Sequence, residues 1–243
     1  FFKQKTAYEI TYGDWSSDVC SSDLKRTRYD VRKAFAPVAW LTTTAYVLVV
    51  NPSVPAANVK ELIAYGRAKP GAITYGTPGV GTTLHVVWER FSQLAGMQTL
   101  HVPYKGGALA TLDAISGQIL ATITTVGNAQ GPVRTGRLRG LATTGAKRMQ
   151  AMPELPTIAE AALPGFDAVS SYRLYMPAGV SPAIVRSVNS AMARAMQSPD
   201  ALKVMTAEGA EAAPALSPDE LRAAIAREFV ETEQAIRGMK LAQ

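Results

Sequence analysis

Cysteine is almost missing from the 243 residues, Cys20 being the only one. An intrachain disulfide is therefore excluded, and beyond the first 24 residues there is no thiol nucleophile, so the redox compartment cannot be read from cysteine usage. Long apolar runs are missing too. The longest, Ala45 to Val50, suits a buried strand and falls far short of the ~18 residues of a membrane span. Histidine occurs only as His85 and His101, with no carboxylate near either at ligand spacing, so no metal site is expected. No Gly-x-Ser-x-Gly elbow, His-Glu-x-x-His helix or EF-hand loop is found. Ser170 and Ser171 have no adjacent base. The expectation is a protein that is not an enzyme and carries no cofactor.

What is present is ordinary for a globular chain: 47% hydrophobic and 18% charged residues, which excludes disorder and coiled coil. The net charge of +6 comes from basic residues scattered along the chain. Nucleic-acid binding is therefore not expected, and a mild positive balance fits an anionic small molecule.

Residues 1–24 stand apart. They hold no proline, end in the run Ser16-Ser17-Asp18-Val19-Cys20-Ser21-Ser22-Asp23-Leu24, and show neither helical nor strand periodicity. They lack the apolar core and the cleavage site of a secretory signal. The segment resembles translated sequencing-adapter sequence, with a genuine polar arm as the alternative. Without it, 23 basic residues face 15 acidic ones.

From there the pattern alternates strand and helix. Ala45–Val50 reads as a strand, Asn58 as the cap of a helix to Ala68, and Ala72–Tyr75 as a strand. A helix with Leu84, Val87, Trp88, Phe91, Leu94 and Ala95 on one face follows and ends at Gly96. Thr99–Val102, Ile119–Thr124 and Leu138–Thr143 read as further strands, with a helix to about Ser116 between the first two. This spacing predicts parallel α/β units. Thr157 to Glu160 form a capping box, Val169–Met176 is extended and could cross between lobes, and helices start at Ser181-Pro182 and Ser217-Pro218.

Two strand-to-helix loops attract attention. Gly76 to Thr83 has the glycine spacing of a phosphate loop but Thr82 where the lysine belongs, and Leu84 breaks the dinucleotide fingerprint. Its glycines and the free N–H groups at a helix start, Gly79, Gly81, Thr82 and Thr83 among them, favour an anion; a tight turn with a threonine cap is the other reading. The helix dipole should keep His85 neutral, available as a donor to a carboxylate or to its own backbone. His101 reads as a packing residue. The second loop, Tyr104-Lys105-Gly106-Gly107, offers Tyr and Lys donors and a flexible glycine pair, or else is a solvent-exposed turn. Both loops fall at the carboxyl ends of strands, where α/β sheets bind ligands.

Several segments together resemble one family, the periplasmic solute-binding proteins of tripartite tricarboxylate transporters (the Bordetella uptake gene family). They are Tyr29-Asp30 with Phe35 to Val38, Val47 to Pro52, Tyr75 to His85, Val102 to Gly106, Gly136 to Arg139 with Ala146 to Arg148, Pro153 to Gly165, and Met176 to Gly179. The resemblance runs from about residue 25 to the end, in the family's order.

It implies an α/β, type II periplasmic-binding-protein-like fold with a ligand cleft between two lobes, 25–46 with 171–243 and 47–170. It further implies capture of a small carboxylate in the periplasm and delivery to membrane permease subunits, by a protein expected to be monomeric. Gly79 to His85 and Tyr104 to Gly107 fall on cleft segments, and Ser170, Ser171 and Tyr172 on the crossing. Ala34 and Leu120 replace acidic residues usual in the family, and the aromatic near the crossing is shifted to Tyr172. These departures bear on the ligand more than on the fold. The family's signal peptide, first strand and proline-glycine-glycine loop have no counterpart here, so the chain is expected to be N-terminally truncated, its first strand-helix unit missing. Two alternatives remain: an enzyme binding a phosphorylated substrate at Gly76–Thr83, and the effector domain of a transcription regulator.

Overall fold

The structure is a computed structural model that describes residues 30–207 and 209–237. The adapter-like segment 1–24 lies outside the described residues.

The chain builds two sheets. After a short helix α1 (Val31–Ala34), β1 (Phe35–Ala45) lies between β7 (Val169–Pro177) and β8 (Ala210–Ala212) in a three-stranded antiparallel sheet. The second sheet has the order β4-β3-β5-β2-β6, from β2 (Val47–Val50), β3 (Ile73–Thr77), β4 (Thr99–Pro103), β5 (Ala121–Thr124) and β6 (Arg139–Thr143). The helices between these strands are α2 (Val59–Ala68), α3 (Thr83–Ala95), α4 (Gly107–Ser116) and α5 (Val126–Arg134). Helix α6 (Ile158–Ala161) precedes β7, and α7 (Pro182–Ala195), α8 (Pro199–Ala207) and α9 (Pro218–Arg237) complete the chain.

The expectation of purely parallel units needs correction. β3 runs parallel to β4 and β5, whereas β2 is antiparallel to both β5 and β6. β2 enters its sheet directly from β1 rather than through a crossover helix, so strand-helix-strand handedness does not set its direction. Its apolar run is buried on both faces. Leu48 and Val50 join a core with Tyr75, Trp88, Phe91 and Phe166, while Val47 and Val49 join another with Ala110, Ala114, Ile119 and Val126. A strand covered on both faces has no use for polar alternation.

Helix α5 was not expected, because Gly127, Gly131 and Pro132 lie within its nine residues. β1 was not expected either. Pro37 interrupts its pattern and sits where the register with β7 shifts, a position at which a strand tolerates the missing N–H. Val169–Met176, expected as a possible crossing, pairs with β1 along its whole length. The crossings lie just before it, at Ala168, and between Ala45 and Val47.

Thr144 joins those two crossings. Its N–H donates to the Tyr46 carbonyl (3.0 Å) and its carbonyl accepts from Ala168 N–H (2.8 Å). Its hydroxyl accepts from Tyr46 N–H (2.9 Å) and donates to the Ala168 carbonyl (2.6 Å). Thr144 is fully buried.

Candidate functional site

Because β4, β3 and β5 are parallel neighbours, their carboxyl ends share one edge of the sheet, and α3, α4 and α5 all start there. The pairing of Val47 with Thr124 and with Thr143 puts Tyr46 and Thr144 on that same edge. Both crossings therefore leave the five-stranded sheet beside the three helix starts.

The loops touch. Tyr104 N–H donates to the Thr77 carbonyl at 2.9 Å, and a Cβ on Gly107 would lie 3.6 Å from Pro78 Cγ and 3.9 Å from Asn128 Nδ2. Gly79 and Gly106 hold φ of 148° and 144°, a region that side chains other than glycine's avoid.

At this edge no helix is capped by a side chain. Thr82, Gly106 and Thr125 are the N-cap residues of α3, α4 and α5, and none of their side chains accepts a cap hydrogen bond. Thr82 Oγ1 instead donates backwards, to the Gly79 carbonyl at 2.8 Å. Elsewhere Asn58, Thr157 and Ser181 cap α2, α6 and α7, and Ser198 and Ser217 accept from the first turns of α8 and α9. First-turn amides without such a partner, at the positive end of the helix dipole, are suited to an anion.

The amides of the Gly79–Thr83 loop are not all free, contrary to the sequence reading. Gly81 N–H donates to His85 Nδ1 at 2.9 Å, and Thr82 N–H reaches the Gly79 carbonyl at 3.4 Å. His85 lies beneath the loop, almost wholly buried, with its Nε2 4.0 Å from Glu89 Oε1. It thus accepts from the backbone rather than donating to it, and a carboxylate does stand one helical turn away. Its pKa is lowered chiefly by burial, opposed by Glu89. His101 stacks on it with ring centres 4.0 Å apart, and its Nε2 shares a 2.6 Å hydrogen bond with Thr77 Oγ1. Among the described residues, no group of three or more His, Cys, Asp or Glu could hold a metal ion.

In the second loop Tyr104 turns its hydroxyl inward, donating to Asp113 Oδ2 at 2.8 Å. Burial and this bond push its pKa up to about 12. Lys105 is exposed, with no hydrogen bond or ion pair among the described residues, while Gly106 and Gly107 lie half-buried behind it. Ser170, Ser171 and Tyr172 stand on the other sheet, opposite Thr44, Thr43 and Thr42 of β1. Ser170 follows the Ala168 crossing by two residues, and Tyr46, on the shared edge, is buried, which raises its pKa. Tyr172 is exposed.

Thr125, Gly127 and Asn128 were missed. Thr124-Thr125 after an apolar strand was the available signal for a third helix start. A hollow lined by Ala39, Trp40, Asn189 and Leu216 lies on the small sheet, away from the loops, and has no charged residue in its lining.

The family model described as tripartite tricarboxylate transporter family receptor matches residues 7–239, a span that begins within the adapter-like segment. Protein BugT of Bordetella pertussis is 31% identical over 201 residues, covering 83% of this chain and 61% of BugT. The chain spans about half the length of the curated relatives it matches, 56% and 47% of two others. Among solved structures, R. palustris Rpa4515 with adipate superposes with a TM-score of 0.77 at 31% identity, covering 86% of this chain and 70% of that one. MatC from Rhodopseudomonas palustris with bound malate gives 0.75 at 25% identity, covering 86% and 72%.

Proposed function

Because the chain belongs to the tripartite tricarboxylate transporter family of receptors, we propose that it captures a small carboxylate in the periplasm and delivers it to membrane permease subunits. The observation that carries this reading is the set of uncapped starts of α3, α4 and α5 on one sheet edge, beside the crossings to the second sheet. A carboxylate has the charge and the acceptor oxygens that these amides lack as partners, and it needs neither metal nor covalent chemistry. Adipate and malate, present in the two R. palustris neighbours, are the first ligands to try.

In this reading the lobes are 25–46 with 171–243, and 47–170. The Gly79–Thr83 and Tyr104–Gly107 loops supply one wall of the cleft, and Ser170, Ser171 and Tyr172 face it from the other lobe. Lys105 contributes a mobile cation at the rim. His85 contributes indirectly, through Gly81. The protein acts as a monomer, without cofactor or nucleic acid. Among the described residues no helix is long and apolar enough to cross a membrane.

A thermal-shift screen of mono-, di- and tricarboxylates, with phosphorylated metabolites beside them, tests the proposal. Saturation at 100 times the dissociation constant stabilises a binder by about 2.7 kcal/mol. A shift with carboxylates and no turnover of any compound is expected. A shift confined to phosphorylated compounds, or product formation from one, would overturn it in favour of the enzyme reading.

A further inference from the structure

Two histidines lie under the glycine loop, and each holds a different part of it. His85 Nδ1 accepts the Gly81 N–H at 2.9 Å. His101 Nε2 bonds Thr77 Oγ1 at 2.6 Å, and that hydroxyl meets Gly79 at both its carbonyl (3.2 Å) and its N–H (3.4 Å). The rings stack on each other with centres 4.0 Å apart and planes 11° apart. Tyr75 continues the stack, 4.9 Å from His101 and 4.5 Å from Trp88. Register explains the meeting of two residues distant in sequence: Tyr75 of β3 pairs with His101 of β4, and α3 returns His85 over both.

We infer that His85 and His101 are positioning residues, a two-ring clamp that fixes the Gly79–Thr83 loop in the shape that receives an anion. The inference rests on the carboxylate reading and deepens it. Gly79 and Gly81 hold φ of 148° and 77°, and an unrestrained glycine loses more freedom on ordering than any other residue. A loop already held in its bound shape avoids that cost at the moment of binding.

The His85 half of the clamp requires a neutral ring. An accepting Nδ1 leaves the His85 proton on Nε2, toward Glu89; a second proton on Nδ1 would turn the acceptor into a donor facing Gly81 N–H. The groups facing the rings are Glu89 from α3, Tyr75 and Thr77 from β3, and each other. Glu89 is already engaged by the Tyr75 hydroxyl. Burial lowers both histidines, and the neighbouring His85 helps to bring His101 down to about 4.

Acceptor and ring can be separated at position 85. His85→Asn places an oxygen near the site of Nδ1 but loses the stack, whereas His85→Phe keeps a ring and loses the acceptor. Amide hydrogen exchange is read first, on the ligand-free chain, and calorimetry with adipate second. His85→Phe should speed Gly81 exchange and weaken adipate, each about tenfold. His85→Asn should leave both near wild type, although it melts lower. Thr77→Val, which keeps both rings, should speed Gly79 exchange alone and so decides the matter if His85→Phe does not fold. Exchange and affinity that simply follow melting temperature, with Asn worse than Phe, would overturn the clamp. Exchange needs no ligand, so a wild-type chain that ignores adipate counts against the carboxylate reading while the clamp is still decided.

Discussion

Thr144→Val isolates the hydroxyl that ties the two crossings together. The substitution keeps the side chain's shape in a site of no exposure, and leaves Thr144's two backbone hydrogen bonds in place. What it removes is one acceptor, from Tyr46 N–H, and one donor, to the Ala168 carbonyl. The Tyr46 amide is then buried without a partner, which costs about 1–3 kcal/mol, and the lost bond to Ala168 adds about 1 kcal/mol. A destabilisation of about 2–4 kcal/mol follows, a large share of the ~5–15 kcal/mol available to a folded protein. Thr144→Ser supplies the contrast. It keeps both hydrogen bonds and loses one methyl group, worth about 0.8 kcal/mol. Equilibrium urea unfolding of the three proteins gives the ranking wild type, Ser, Val. If shape complementarity governed the site, valine would be the milder change. A valine variant as stable as the serine variant would refute the hydrogen-bond argument, and with it the view that Thr144 sets how the crossings are held.

Gly106→Ala should cost about 1–3 kcal/mol by urea unfolding, because a Cβ there meets nothing within 4 Å while φ of 144° is left strained; Gly179→Ala, in equally open space at an ordinary φ, should be close to neutral. Lys105→Ala should raise the dissociation constant of a bound carboxylate ten- to a hundredfold, the worth of a charged hydrogen bond of about 1.5–3 kcal/mol, with no change in melting temperature; an unchanged affinity in calorimetry makes Lys105 a bystander. Stability should fall with pH between about 6.5 and 4, because the unfolded chain binds protons at His85 and His101 that the folded chain, with both groups lowered, refuses. The part of the loss due to His101 should flatten below its folded value, about 4, and urea midpoints across that window should show a shallower slope for His101→Gln; equal slopes would remove His101 as a cause.

The elements legible in the sequence were those whose signal is local. Asn58, the Thr157–Glu160 capping box and Ser181-Pro182 each mark a helix start with residues that act within one turn, and each does so in the structure. Helix α5 contradicts its own local signal, carrying Gly127, Gly131 and Pro132, and is held by burying Val126 and Ala129. β1 likewise exists through its pairing with β7 and β8, which no window of its own residues encodes. The site divides the same way. The two glycine loops could be read from composition, and the four-residue spacing of Gly81 and His85 was there to be seen. The approach of His101 depends on strand register, and the place of Tyr46 on the same edge depends on the antiparallel entry of β2.

Capping offers the strongest link between economy of folding and function. A side-chain cap is worth about 1 kcal/mol to a helix, and this chain uses one at α2, α6, α7, α8 and α9. At α3 and α5 a threonine occupies the cap position and still makes no cap bond; at α4 the position is glycine. The same sequence that caps its peripheral helices thus forgoes the stabilisation at three neighbouring starts. Random omission would scatter the bare starts over both sheets, whereas these three share one edge with both crossings. First-turn amides left without a side-chain cap beside the junction of the two sheets add nothing to helix stability on their own. Under the proposed carboxylate reading, an anion at this edge takes up those amides, and the stability forgone at the three helix starts becomes affinity for the ligand.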